Sequence, residues 1–293
     1  MAAVIGFIGT GVMGSSMAGH LLAAGYSLNV YNRTREKTDT LTERGAVLRD
    51  TPGDVASASD IVITIVGYPK DVEEIYLGRD GIVERAKAGT LLIDMTTSSP
   101  ALARRIYKAA CERGLAALDA PVTGGDRGAR EATLSILVGG DEEDFERALP
   151  ILKVMGRNIV RFGPAGGGQT AKLANQIIIA GGMLGVCEGL AFAKRSGLDA
   201  GELLNCISGG AAGSWSLSNY GPRILNGDFA PGFFVKHFIK DMKLAEEAAR
   251  EAGMSLEGLE TALRQYEKLA LEGGAQNGTQ GLFKLYGDSM AEQ

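Results

Sequence analysis

Histidine, cysteine, tryptophan and net positive charge are all scarce in this 293-residue chain, and each shortage argues against a class of function. The two histidines, His20 and His237, stand alone without metal-ligand spacing. That argues against a catalytic zinc and against a His–carboxylate acid/base pair. The three cysteines, Cys111, Cys187 and Cys206, are odd in number, far apart and lack C-x-x-C spacing. They indicate neither a disulfide framework nor a zinc site, and fit a reducing cytoplasm. A net charge of −5 argues against a nucleic-acid surface. The opening MAAVIGF has no basic segment and no cleavage-site pattern, so no secretory leader is expected. The most apolar stretch, Ile177–Ala193, contains Glu188 and several glycines; it reads as a buried core helix rather than a membrane span.

Glycine, by contrast, is plentiful, at 42 residues, and its placement is most telling between Val4 and Arg33. Val4–Ile8 is an apolar run of buried-strand type. Gly9, Gly11 and Gly14 follow as G-x-G-x-x-G and lead into a helix over Met13–Ala24, closed by Gly25; a second strand then runs from Tyr26 to Tyr31. In a dinucleotide site the first glycine makes the tight turn, the second admits the pyrophosphate to the backbone, and the third lets helix and strand pack closely. The helix N-terminus offers N–H groups and a positive dipole end to the phosphates.

The end of that second strand bears on the choice of cofactor. An NAD site usually has Asp or Glu there to hold the ribose 2′-hydroxyl. This chain has Asn32, Arg33, Thr34, Arg35 and Lys37. A guanidinium beside a hydroxyl suits a 2′-phosphate better, which favours NADP with NAD still possible. The plainer alternative is a solvated helix start with Thr34 as its N-cap.

Further strand patterns fall at Ile61–Val66, Thr90–Asp94, Ala116–Asp119, Leu134–Val138 and Asn158–Phe162. Amphipathic helices are predicted between them near Arg35–Arg44, Lys70–Leu77, Pro100–Arg113 and Glu142–Met155. This repetition predicts a doubly wound parallel sheet of Rossmann type, with its ligand crevice at the carboxyl ends of the strands. The run Gly163–Gly168 marks a boundary. We therefore expect a nucleotide-binding domain over residues 1–163 and an all-helical substrate and oligomerisation domain over 164–293. A long interdomain helix, Gln169–Ser196, joins them, followed by helices near Ala200–Ile207, Trp215–Leu225, Val235–Ala252, Leu256–Glu272 and Thr279–Tyr286. Gly181, Gly185 and Gly189 recur every four residues on the long helix, predicting a smooth face for close helix packing.

Five segments, in order, resemble the β-hydroxyacid dehydrogenase family, which includes 3-hydroxyisobutyrate dehydrogenases, tartronate semialdehyde reductases and glyoxylate/succinic semialdehyde reductases. They are GFIGTGVMG (Gly6–Gly14), DMTTSSP (Asp94–Pro100), DAPVTGG (Asp119–Gly125), GQTAKLANQ (Gly168–Gln176) and FIKDMKLA (Phe238–Ala245). The resemblance implies a dehydrogenase or reductase that moves hydride between NADP(H) and a small hydroxy acid, semialdehyde or keto acid. It also implies that Lys172 is the catalytic lysine. In a helix beginning near Gly168, Lys172 lies in the first turns, where a positive helix end and partial burial are expected to lower its pKa. Asn175, three residues on, shares its face and is placed to hold the substrate hydroxyl or orient the lysine.

Thr123, Gly124 and Gly125 end a strand at the ligand edge. A hydroxyl with inward-turned backbone N–H groups would form a nest for a substrate carboxylate; a simple strand-to-helix turn is the structural alternative. The family commonly has Ser where this chain has Thr123. Arg127 and Arg130 read as solvated helix charges, the sharper idea being that Arg127 meets a second acidic group on the substrate. The resemblance further places Met13, Tyr68, Pro69 and Thr96 against the cofactor, and Lys240 near its nicotinamide end and the substrate. Trp215 falls in a segment that helps cover the substrate cleft in the family; anchoring the following helix in the core is the alternative. His237 reads as structural and Asp241 as a partner for a lysine. No metal is implied, and a homodimer or homotetramer is expected. Rival readings are an imine reductase, which usually replaces this lysine, a phosphogluconate dehydrogenase, which has a longer helical domain, and a non-catalytic nucleotide-binding scaffold.

Overall fold

The computed structural model describes residues 3–287. Two compact units emerge, Met1–Lys172 and Leu173–Gln293. The first is built on a six-stranded sheet of β1 (Val4–Ile8), β2 (Ser27–Tyr31), β3 (Val47–Leu48), β4 (Ile61–Thr64), β5 (Leu91–Asp94) and β6 (Ala116–Asp119). Every pairing is parallel and the order is β3-β2-β1-β4-β5-β6, the doubly wound arrangement that puts a crevice where the connections after β1 and β4 leave to opposite faces of the sheet.

The strands read as near-continuous apolar runs because both faces are covered. All four residues of β4 and of β5 are buried. Ile5, Phe7, Val30, Ile63 and Ile93 pack with Met17 and Leu21 of α1 (Val12–Ala23) on one face. On the other, Ile8, Val62 and Leu92 meet Val72, Tyr76 and Ile106. The remaining helices of this unit are α2 (Asp39–Thr42), α3 (Pro52–Ser57), α4 (Pro69–Leu77), α5 (Ile82–Arg85), α6 (Pro100–Cys111), α7 (Gly125–Arg130) and α8 (Glu142–Met155). Proline opens α3, α4 and α6, where its missing N–H costs nothing, and Ser99 Oγ caps α6 by accepting from Leu102 N at 3.0 Å.

Two expectations about this unit need correction. The strand patterns at Leu134–Val138 and Asn158–Phe162 do not extend the parallel sheet. They form β8 (Leu134–Val138) and β9 (Gly156–Arg161) of a separate three-stranded sheet with β7 (Val122–Thr123). The chain doubles back after β6: Asp119 and Gly139 bridge antiparallel, and β7 pairs antiparallel with β8 before β9 joins in parallel. The single helix expected over Arg35–Arg44 is instead a 3₁₀ turn, Arg35–Thr38, followed by the short α2. The Thr38 and Thr42 hydroxyls donate to the carbonyls of Arg35 and Asp39, at 2.7 and 2.8 Å, a local bonding that competes with regular helix.

Helix α9 (Gly167–Arg195) carries the chain into the second unit, whose further helices are α10 (Ala200–Ile207), α11 (Trp215–Leu225), α12 (Val235–Glu251), α13 (Glu257–Leu271) and α14 (Lys284–Gly287). No strand occurs among its described residues. Leu173, Met183, Cys187 and Leu190 of α9 pack with Phe238, Met242, Leu263 and Tyr266. The last helix expected, Thr279–Tyr286, divides into a 3₁₀ turn over Thr279–Phe283 and α14. Helix α9 differs from its expected form in another way. It is long and apolar enough to cross a membrane by composition, and only 39% of its most apolar window is buried. Space is open around Gly181, Gly185 and Gly189, and Ile178 and Phe192 are largely exposed. Among the described residues nothing packs against the glycine face, and α9 is buried on one side only.

Candidate functional site

The glycine loop between β1 and α1 has the geometry a dinucleotide demands. Gly9 has φ of +98°, and a side chain there would strike the carbonyl of Ile65. A side chain at Gly14 would strike the carbonyl of Gly9, whereas nothing lies within 4 Å of where a Cβ on Gly11 would sit. Gly11 is also the N-cap of α1, so no side chain closes that helix end. Beside it, Thr10 is 2% exposed and its Oγ1 has no partner among the described residues. A cleared approach, an uncapped helix end and an orphaned buried hydroxyl together fit a bound pyrophosphate. Met13 lies half-buried on the first turn of α1.

At the end of β2 the structure spends the Asn32 side chain internally: its Oδ1 accepts from Thr10 N at 3.1 Å and its Nδ2 donates to Thr34 O at 2.8 Å. Asn32 braces the glycine loop from both polar ends of its side chain. Arg33 and Thr34 are exposed; Thr34 starts the 3₁₀ turn without a side-chain cap, so the N-cap alternative fails in its side chain. Tyr68 and Pro69 open α4 after β4, and Tyr68 is 41% exposed. Thr96 lies past β5 and is 2% exposed, its Oγ1 accepting from Val66 N at 3.0 Å. It ties two strand-end loops together.

The start of α9 is held by residues to which sequence reasoning gave no role. Asp119, the last residue of β6, accepts from Gly166 N on Oδ1 at 2.7 Å and from Gln169 N on Oδ2 at 2.8 Å. The Gln169 side chain is fully buried; it donates to Thr96 O and accepts from Ser98 N, both at 2.8 Å. The carboxyl ends of β5 and β6 thus grip the first turn of α9 by four hydrogen bonds. Lys172 follows Gln169 by three residues, on the same helix face, and is 6% exposed.

Asp94 stands beside Asp119 in register, at the end of β5. Burial pushes its carboxyl up to about 6, against hydrogen bonds from Thr96 and Thr64 that favour the charged form. Burial also raises the Asp119 carboxyl, opposed by the N–H groups of Gly166 and Gln169. Asp94 and Asp119 line a cavity of about 10 Å³ with Tyr76, Tyr107 and Ala165.

In the DAPVTGG loop, Thr123 is half-buried on β7, and Gly124 and Gly125 take φ of +125° and +62°, which any side chain would resist. Arg127 and Arg130 are engaged along α7 with Glu131 and Asp126, at 2.8 and 2.7 Å; both are exposed helix charges, and the geometry offers nothing for a substrate role of Arg127.

The helical unit has a polar chain of its own. Asn175 Nδ2 donates to Gln176 Oε1 at 2.8 Å, Gln176 Nε2 donates to Asp241 Oδ2 at 2.6 Å, and Lys240 Nζ pairs with Asp241 Oδ1 at 2.9 Å. Gln176 and Asp241 are 2% and 1% exposed, so this charge is fixed within the core. Burial, then Lys240 and Lys236, pull His237 below its usual range. Trp215 is 64% exposed, edge-on to Tyr220 with ring centres 5.2 Å apart. It does not anchor α11 in the core.

Residues 4–163 match the family described as the NAD-binding domain of 6-phosphogluconate dehydrogenase, and residues 166–286 match the NAD-binding family of NADP-dependent 3-hydroxyisobutyrate dehydrogenase. The chain belongs to the β-hydroxyacid dehydrogenase family. It is 54% identical to an oxidoreductase of Bacillus subtilis (strain 168), over 98% of this chain and 99% of that one. It is 39% identical to the 2-hydroxy-3-oxopropionate reductase of Escherichia coli K12, over 93% of each. An NAD-dependent L-serine dehydrogenase of Pseudomonas aeruginosa is 38% identical, over 96% of this chain and 97% of that one. Among solved structures, Mycobacterium tuberculosis 3-hydroxyisobutyrate dehydrogenase with L-serine superposes with a TM-score of 0.90 at 30% identity, covering 97% of this chain and 99% of that one. A Streptomyces aurantiacus imine reductase, at 0.65 and 24% over 96% and 99%, shares the fold alone. The chain is therefore an NAD(P)-dependent hydroxyacid dehydrogenase, an enzyme that uses a nicotinamide cofactor on a small hydroxy acid.

Proposed function

We propose that this enzyme interconverts a small hydroxy acid and its semialdehyde or keto acid, prefers NADP(H), and uses Lys172 as general acid/base. One observation supports the reading above the others: Asp119 and Gln169 tie the start of α9 to the carboxyl ends of β5 and β6, and Lys172 follows one turn later. In an open parallel sheet that edge is where the ligand crevice lies. The nicotinamide supplies or accepts the hydride. The Lys172 ammonium gives its Nζ proton to the substrate oxygen on reduction; its neutral amine takes the hydroxyl proton on oxidation. Asn175 holds the hydroxyl or orients the lysine. Thr123 with the Gly124 and Gly125 backbone takes the substrate carboxylate, with Lys240 and Trp215 completing the substrate side.

On the cofactor side, Gly9, Gly11 and Gly14 clear the pyrophosphate's approach, and Met13, Tyr68 and Pro69 flank it. Asn32 and Thr96 act by bracing the loops, and Arg33 with Thr34 receives a 2′-phosphate. On this reading residues 1–163 bind the cofactor and add the carboxylate loop, and residues 164–293 supply the rest of the substrate side and assembly. The enzyme works as a cytoplasmic homodimer or homotetramer, for which the open apolar face of α9 and three free cysteines are the support. Steady-state kinetics of Lys172→Ala test the core of the proposal. Turnover should fall at least about 100-fold with NADPH affinity little changed, because a positioned acid/base contributes that much. Near-normal turnover would remove Lys172 from the mechanism.

A further inference from the structure

The carboxylate missing from the end of β2 comes back from another element. Asp71 lies 38 residues beyond Arg33, in the first turn of α4, and its Oδ1 accepts from Arg33 Nη1 at 3.2 Å. Its Oδ2 accepts from Tyr68 N at 3.1 Å, which fixes the carboxylate against the start of the helix. The Asp71 side chain is 24% exposed and that of Arg33 is 85% exposed. One partner is anchored; the other reaches it from solvent. Asn32, between the glycine loop and Arg33, has both polar ends of its side chain committed. The corner that distinguishes the two nicotinamide cofactors therefore holds a cation already paired with an anion.

We propose that Asp71 sets the cofactor selectivity of this enzyme by competing with the 2′-phosphate for Arg33. The proposal rests on the reading above that Arg33 receives that phosphate. Arg33 favours a 2′-phosphate through charge and its forked donors. Asp71 already occupies that guanidinium and cancels its charge, so a 2′-phosphate must compete with the carboxylate for the same donors. A neutral ribose 2′-hydroxyl enters no such competition. The pair narrows the gap between NADP(H) and NAD(H), leaving an enzyme able to use both. Because Arg33 is largely exposed, the contribution of the pair is modest, about two- to fivefold in affinity.

The test uses Asp71→Asn, Arg33→Ala and the double variant in the full-length protein, with dissociation constants measured calorimetrically and without substrate. 2′,5′-ADP and 5′-AMP are the probes, since they differ in the 2′-phosphate and lack the nicotinamide. Asn at 71 keeps an oxygen for Tyr68 N, so the helix start is preserved. Asp71→Asn should bind 2′,5′-ADP about two- to fivefold more tightly and leave 5′-AMP within twofold. In the Arg33→Ala background that gain should disappear. An unchanged or weaker 2′,5′-ADP affinity in Asp71→Asn, with Arg33→Ala still weakening it selectively, overturns the competition while sparing the phosphate reading. Equal tightening of both probes, or a gain that persists without Arg33, also overturns it. If Arg33→Ala leaves both probes alike, the phosphate reading itself is lost and the proposal with it.

Discussion

Asp94→Asn should stabilise this protein at alkaline pH, although it removes a charge from the heart of the site. Asp94 is 6% exposed, and burial raises its carboxyl from 3.8 to about 6. A folded-state pKa above the unfolded value means that the charged form is the disfavoured one in the native protein. Stability is therefore highest while the group is protonated in both states, below about pH 4, and is lost as pH rises toward 6. The loss is complete above that, and a rise of this size corresponds to about 3 kcal/mol. Asparagine mimics the protonated acid: its carbonyl oxygen can still accept from Thr64 Oγ1 and Thr96 N, which reach Oδ1 at 2.8 and 3.0 Å. Its amide then faces the small cavity shared with Asp119 and Tyr76, and any unmatched donor there costs about 1 kcal/mol or more. The net gain at pH 8 is about 1–3 kcal/mol, vanishing at pH 4. With a urea slope of about 2–3 kcal/mol per M for a unit of this size, the midpoint should move up by roughly 0.3–1.5 M. Urea titrations of both proteins at pH 4.5, 6 and 8 measure this. Parallel pH profiles, or a variant weakened equally at every pH, would refute the argument that charge burial dominates at Asp94.

Two predictions address the substrate side. Thr123→Ala should raise KM for carboxylated substrates more than for uncharged aldehydes of similar size, because the hydroxyl beside the Gly124–Gly125 turn is assigned to the carboxylate; equal effects in a kinetic comparison would return the loop to a packing role. If the proposed substrate role of Trp215 holds, its indole, 64% exposed here, should show a blue-shifted emission when a substrate analogue joins the cofactor complex, because bound substrate would shield it. Emission that stays constant, after correction for cofactor absorption, counts against closure by this segment.

What could be read in the sequence was local in character. β1, β4 and β5 are legible because burial on both faces turns them into unbroken apolar runs, and the glycine loop is legible because its three positions carry separate steric demands. β8 is harder to read, because its apolar content predicts one more strand of the parallel sheet. Leu134, Ile136 and Val138 are buried while Ser135 and Leu137 between them are only partly so, and that alternation belongs to a sheet covered less completely on one side. The glycine stripe of α9 was legible as a smooth surface, but no spacing rule says whether the surface filling it belongs to the same chain.

The residues that hold the candidate site escaped for a different reason. Asp71 meets Arg33 across 38 residues, Gln169 meets Ser98 across 71, and Gln176 meets Asp241 across 65. None of these partnerships has a sequence spacing, because each is made by elements that become neighbours only when the sheet and the helices assemble. A usable signal did exist for Asp94 and Asp119. An acidic residue at the last position of an otherwise apolar strand is out of place unless backbone N–H groups or hydroxyls await it. Both strands end that way, and both carboxylates find such donors at the edge where a parallel sheet presents its ligands. The cost of burying Asp119 is met by the N-terminus of the helix that carries Lys172. The same hydrogen bonds that make this carboxylate tolerable in the core therefore also fix where the proposed acid/base begins.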